Sequence, residues 1–312
     1  MHDVLVVGEA LVDIVVRPDL PVAEYPGGSP ANVALGLARL GRHPELLTRI
    51  GNDERGRVVR SHLEASGVHL VPGSVTRECT STATAHVDAT GVAGYDFDLD
   101  WRLPTDVVPD LGACLHTGSI ATFLQPGGDA VLALVDKAVG RTTVSYDPNA
   151  RPPLMGDPEQ ARVRVENLVA RADVVKVSDE DLAWLAPGED PLDVAADWLA
   201  NGPAFIVLTR GYAGAVGLCR AGRVEVAAPP IEVVDTVGAG DSFMAGLLDH
   251  LATLGLLGAQ QLTKLRGIGT SALQDMLRYA VRIATITCTR TGANPPFRAE
   301  LDALPALPAL PA

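Results

Sequence analysis

Along the chain, short runs of β-branched and aliphatic residues alternate with longer stretches whose apolar positions recur at helical spacing. Val4–Val7, Thr143–Tyr146, Val174–Val177 and Ala204–Leu208 read as strands covered on both faces. Between them, Pro30–Leu40, Gly127–Val139, Asp190–Ala200, Gly240–Leu254 and Ser271–Thr289 read as amphipathic helices. Pro30 suits a first helical position, with Ser29 as the N-cap. This alternation predicts an α/β fold: a doubly wound, mainly parallel sheet with helices on both faces. Asp13–Arg17 and Ser81–Leu99 depart from the pattern. They are polar-interrupted, rich in Thr or aromatics, and punctuated by Gly91 and Gly94. They are expected to pair as a small β-sheet lid over the C-terminal ends of the main strands, where ligands bind in such folds.

Composition narrows the function. The 312 residues are 47% hydrophobic and 20% charged, as in a globular chain. A formal charge of −13 argues against a nucleic-acid partner, which requires a basic face. It leaves room for a nucleotide, because local amides and a metal ion can outweigh the global field. No apolar run reaches the length of a membrane span, so no membrane partner is expected. The first residues lack the basic start of a signal peptide. Cys79, Cys114, Cys219 and Cys288 are scattered, which fits a reducing cytoplasm better than a disulfide scaffold or a zinc site. The Leu-Pro-Ala repeats of Leu304–Ala312 exclude a helix and read as an extended tail.

Several nucleotide signatures are absent. None of Lys137, Lys176 and Lys264 follows a glycine, so there is no Walker A loop. Protein-kinase motifs and a dinucleotide GxGxxG are also missing. The segment Val233–Gly246 carries the strongest chemistry. There a β-like stretch passes through Gly238-Ala239-Gly240 into a helix. Small residues at a helix start bare several N–H groups as an anion hole, aided by the helix dipole. Asp241, in that first turn, either complements the dipole or acts as general base for a substrate hydroxyl. Asp235 either holds the preceding turn or helps bind a cation. In Pro26–Gly41, Gly28 permits close approach of a ligand. Asn32, a poor helix former, is placed to present its amide to a polyol.

These two segments, Gly27-Gly28-Ser-Pro-Ala-Asn32 and Asp235-Thr-Val-Gly-Ala-Gly-Asp241, together resemble the signatures of the PfkB, or ribokinase-like, family of carbohydrate kinases. The resemblance implies a kinase domain over residues 1–298, its lid formed by about 12–18 and 81–103, with 299–312 as a tail. It implies that Asp241 is the catalytic base and that Gly238, Ala239 and Gly240 supply the anion hole. Asp13, in Gly8-Glu-Ala-Leu-Val-Asp13, would hold sugar hydroxyls, with Gly28 and Asn32 as further sugar contacts. Thr209, Gly211 and Gly214 match the family's Thr-x-Gly nucleotide segment. Lys176, Ser178 and Asp181 occupy the place of its Asn-x-x-Glu segment, with Ser for Asn and Asp for Glu. A water-mediated magnesium role for Asp181 follows, while Lys176 is either a nucleotide contact or a snorkelling surface residue. Asn294 would end the adenine pocket. The cofactor implied is Mg²⁺ with ATP, with K⁺ near the Asp235 turn as a further possibility.

Asp147-Pro-Asn149-Ala-Arg151 is similar to a fructokinase segment, and relatives acting on 2-keto-3-deoxygluconate carry a comparable one. Asn149 and Arg151 are therefore substrate-binding candidates, and Arg151 admits a carboxylate, a neutral ketose or a phosphate. The lid residue Arg102 is a further candidate. Fructose is the first choice of substrate. The alternatives are a ketodeoxygluconate kinase, then a ribokinase or nucleoside kinase, or a catalytically silent sugar-binding regulator. Exposed lid edges favour a homodimer through the lid.

Overall fold

The computed structural model describes residues 3–18, 20–88, 93–104 and 107–303. Gly91 and the Leu-Pro-Ala tail lie outside the described residues. Val4–Val7 is the third strand from one edge of a nine-stranded sheet. On one side of it lie Pro44–Leu47 and His69–Leu70. On the other, Cys114–Gly118, Thr143–Asp147, Val174–Ser178 and Phe205–Thr209 follow in chain order. All of these pair in parallel, and an antiparallel hairpin, Ala215–Cys219 with Gly222–Val226, closes the far edge. The winding direction reverses between Val4–Val7 and Cys114–Gly118. That reversal opens a crevice at the C-terminal strand ends.

Both faces of the sheet are covered because alternate strand residues point opposite ways. Val4 and Val6 join a core with helices Ser29–Arg39, Glu54–Ala65, Ala239–Thr253 and Thr270–Cys288. Leu5 and Val7 join another with Gly127–Ala138, Pro158–Val169, Asp179–Leu185 and Pro191–Ala200. The helices expected from periodicity all form, with ends within a residue or so of expectation. One start differs. Gly28 is the N-cap of Ser29–Arg39, at φ 104, and Ser29 is already helical. Its side chain caps nothing and is used elsewhere.

A separate four-stranded sheet has the order Ala23–Gly27, Leu11–Val16, Thr82–Val87, Ala93–Asp98. The strand Ala23–Gly27 was not expected as part of it. It forms because Gly27 leaves room for its neighbour. A Cβ there would lie 2.0 Å from Asp13 Oδ2. No helix among the described residues is long and apolar enough to cross a membrane.

Candidate active site

A cleft of about 1030 Å³ runs along the C-terminal ends of the parallel strands. The small sheet covers one end through Ala83, Phe97 and Leu99. Five of the parallel strands deliver a polar residue as they leave the sheet: Glu9, Ser119, Asn149, Ser178 and Thr209. The first turn of Ala239–Thr253 faces them from across the crevice.

Asp241 is buried in that first turn and held on both oxygens. Asn32 Nδ2 donates to Oδ2 at 2.8 Å. The Ser29 hydroxyl donates to Oδ1 at 2.7 Å, and Asn149 Nδ2 reaches the same oxygen at 3.3 Å. Two donors share the first turn of Ser29–Arg39 and the third follows another strand, so the carboxylate has a fixed orientation. Gly238, in the left-handed region at φ 74, turns the chain into the helix. A Cβ at Gly238 would fall 2.6 Å from that of Ala293. The Ala239 N–H donates to Thr236 O at 3.2 Å. Helix geometry therefore leaves the Gly240 and Asp241 N–H groups for an anion.

Lys176 is not a snorkelling surface residue. It is 3% exposed, and its ammonium donates to Asp147 Oδ2 at 2.7 Å. Sheet register explains this. Tyr146 pairs with Val175, so the next residues, Asp147 and Lys176, emerge side by side on one face. Lys176 Nζ lies beside the helix start, 3.2 Å from where a Gly240 Cβ would stand. Burial pulls its ammonium down, but the Asp147, Asp181 and Asp241 carboxylates together hold it above the ordinary lysine value. Burial pushes Asp147 up to about 6 against the pull of Lys176. Its Oδ1 is buried with no hydrogen-bond partner.

At the small-sheet end, Asp13 is pushed up to about 6 by burial, opposed by Arg151. Arg151 lines the cleft too, with Nη1 donating to the Asn149 side chain at 2.8 Å and to the carbonyls of Asn149 and Ala150. Glu9, which sequence reasoning passed over, is pushed up to about 7 by burial. It accepts the N–H groups of Ser29 and Ala121 and so ties the two chain segments that cross the sheet ends. The Gly8-Glu9 pair after the first strand was the available signal.

The cleft thus gathers Asp13, Gly28, Asn32, Asn149, Arg151, Lys176, Ser178, Asp181, Thr209, Gly211, Gly214 and the Gly238–Asp241 turn. It does not gather three of the expected residues. Arg102 points to solvent and pairs with Asp100 at 2.9 Å, its nearest acid in the chain. Asn294 accepts from Arg39 Nη1 at 2.5 Å, outside the cleft. Asp235 accepts the N–H groups of Val237 and Gly292, which makes it the brace of the turn.

Asp181 is likewise committed. Its oxygens accept the Ser178 and Ala150 N–H groups at 2.9 and 2.7 Å, completing a capping box for Asp179–Leu185. Among the described residues no three His, Cys, Asp or Glu side chains converge as a metal cage. That donor set fits an ion bound chiefly by the nucleotide's own phosphate oxygens.

A doubly wound sheet with a buried carboxylate at a helix start, a buried lysine beside it and no Walker loop is the arrangement of a ribokinase-like small-molecule kinase. Residues 1–300 match the model of the pfkB family carbohydrate kinase. The chain belongs to this family, and its reaction is phosphoryl transfer to a carbohydrate. A fructokinase from Rhizobium leguminosarum bv. trifolii is 35% identical over 273 residues, covering 84% of this chain and 83% of that protein. The crystal structure of a fructokinase with bound ATP from Xylella fastidiosa superposes with a TM-score of 0.79 at 25% identity, covering 93% of each chain. A fructokinase double mutant from Vibrio cholerae O395, with fructose, ADP and potassium ion bound, gives 0.77 at 28% identity over 94% of each chain.

Proposed function

We propose that this protein transfers the γ-phosphoryl group of ATP to a primary hydroxyl of fructose. The observation that carries the reading is Asp241, fixed on both oxygens at a helix start in the same cleft as Asp13 and Arg151. The sugar oxygen attacks γ-phosphorus as the bond to the β-phosphate oxygen breaks, and the hydroxyl proton passes to Asp241. The Gly240 and Asp241 amides and Lys176 face the charge that develops on the phosphoryl oxygens. Asp13, Gly28, Asn32 and Asn149 hold the sugar. Thr209, Gly211 and Gly214 line the nucleotide end. Magnesium, brought in with ATP, supplies charge neutralisation at the phosphates. Asp235 accepts one backbone N–H group on each oxygen, which braces the turn and leaves a lone pair on each for a potassium ion. The small sheet, closing over the sugar, excludes water. Its outer strands offer edges through which two copies would pair. Four free cysteines suit a reducing compartment.

Arg151 spends Nη1 on Asn149 and Ala150, and its remaining guanidinium donors suit a neutral ketose or a substrate carboxylate alike. The choice of fructose over 2-keto-3-deoxygluconate rests on the relatives named fructokinase. The test is ADP release with Mg-ATP against fructose, ribose and 2-keto-3-deoxygluconate, with Asp241→Asn beside the wild type. Highest kcat/KM is expected with fructose, and loss of the base should lower kcat by roughly 10²–10⁴-fold. Preference for another acceptor, or an unimpaired Asp241→Asn, overturns the reading.

A further inference from the structure

Ser29 has no part in the reaction just described, yet it makes the shortest contact to the proposed base. Its side chain is 7% exposed and lines the cleft. The hydroxyl donates to Asp241 Oδ1 at 2.7 Å and accepts from Asn149 Nδ2 at 2.7 Å. The Ser29 backbone is tied in turn, its N–H donating to Glu9 Oε1 at 3.3 Å. Asn149 is held in the left-handed region at φ 39, one of two non-glycine residues with positive φ among those described. Such a conformation persists only where the surroundings impose it. Here it aims the Asn149 amide at the Ser29 oxygen, which leaves the serine proton for the carboxylate.

The contact is an alcohol O–H donating to the carboxylate that must take a proton from an alcohol. Resting on the kinase reading above, we infer that Ser29 is a positioning residue that reserves Asp241 for a sugar hydroxyl and keeps it from activating water. With no sugar present, the serine fills the accepting site on Oδ1 with a charge-assisted hydrogen bond. A single water gains little by displacing it, because it brings no other contacts. A sugar brings several hydroxyls to Asp13, Asn32 and Asn149 at once, so it can displace or share the serine's place. Discrimination against water then comes from competition for the base, in addition to closure of the cleft.

The test uses the full chain and compares sugar-independent ATP hydrolysis with fructose phosphorylation in wild type, Ser29→Ala and Ser29→Thr. Ser29→Ala should raise the ratio of hydrolysis to phosphorylation about tenfold, from loss of one hydrogen bond to a charged group. The KM for fructose should not rise, since no hydroxyl needs displacing, while kcat falls. Ser29→Thr keeps the hydroxyl and should return the ratio to that of wild type. A purely structural role would lower both rates together and leave the ratio unmoved. That result, in an Ala variant whose melting temperature matches wild type, overturns the inference. So does a Thr variant as uncoupled as Ala, which also decides the matter should the Ala protein fail to fold. A wild type that phosphorylates no sugar on the panel refutes the functional reading and this inference together. Sugar turnover with an unchanged ratio refutes the inference alone.

Discussion

Replacing Lys176 by Met tests the electrostatic centre of the site. The ammonium and the Asp147 carboxylate are 3% and 1% exposed and 2.7 Å apart. Asp147 Oδ1 has no other partner. Removing the lysine therefore strands a buried carboxylate, a change that costs about 3–5 kcal/mol. In a chain of this size about 1 kcal/mol moves the melting temperature by roughly 2 °C, so a drop of about 6–10 °C is expected. The deficit should depend on pH. Asp147 is raised to about 6 in the wild type, and without Lys176 burial raises it further. A raised carboxylate favours the folded state at low pH and loses that contribution as pH rises through the folded value. Hence the variant should fall further behind wild type at pH 8 than at pH 5.5.

Denaturant titrations at both pH values measure this, with Asp147→Asn/Lys176→Met as the partner variant. The double variant holds no stranded charge and should recover much of the loss, a non-additivity of about 2 kcal/mol or more. Kinetics separates the second role. Lys176 Nζ sits beside the Gly240 turn. Its removal should lower kcat/KM for ATP by about 10²–10³-fold, as loss of one transition-state donor does. The double variant should not regain that activity. A single variant costing under about 1 kcal/mol, or strict additivity, refutes the buried-pair argument. Recovery of activity with stability refutes the phosphoryl contact.

Glu9 is raised to about 7 by burial. Wild type should therefore lose about 3 kcal/mol relative to Glu9→Gln as pH rises from about 4.5 to 7, read from urea midpoints across that window. Asp13 is raised to about 6. If its ionised form accepts sugar hydroxyls, kcat/KM for fructose should fall as pH drops through 6, and this limb should vanish in Asp13→Asn. Asp249 is 1% exposed and accepts from Arg42, Arg298 and Tyr279, joining the Asp241 helix to Thr270–Cys288 and to the short helix Arg298–Ala303. Asp249→Ala should cost about 1.5–3 kcal/mol, because the arginines it leaves keep access to solvent. Eight residues, about 12 Å, separate it from Asp241, so kcat for the surviving folded protein should stay within about twofold. Equal losses of stability and kcat would count against that separation.

Legibility in the sequence followed the range of the interaction. Buried strands and amphipathic helices are periodic signals, and those elements lie where periodicity put them. The Gly-Ala-Gly-Asp turn is a local motif and keeps its local geometry. Lys176 is different. Its partner lies 29 residues away and is set by sheet register, which no window around Lys176 contains. Ser29 looks like an N-cap because it precedes a proline, but Gly28 takes that place and frees the hydroxyl for a carboxylate 212 residues on. Arg102 is the opposite case, since a partner two residues away, Asp100, keeps it from the cleft. Asn294 is drawn off by Arg39, 255 residues away and outside any local window.

The polar residues beneath the cleft share one cause. Cys114, His116 and Gly118 alternate along one strand, and Thr143, Ser145 and Asp147 along its neighbour, facing the side of the sheet that carries the Asp241 helix. His116 pairs with Ser145 at 2.7 Å, and burial, helped by Lys176, drives its imidazole down to about 3. It is therefore neutral, and Lys176 carries the positive charge of this layer. A protein of net charge −13 must still bind a nucleoside triphosphate. The long-range field opposes that, but salt screens it beyond about 8 Å. Within that distance the ligand meets a helix start and an ammonium that solvent does not screen. Asp147 keeps that ammonium charged despite burial. On the proposed reading, the carboxylate serves phosphate binding through the lysine it holds, which is why an acidic residue belongs at the bottom of an anion site.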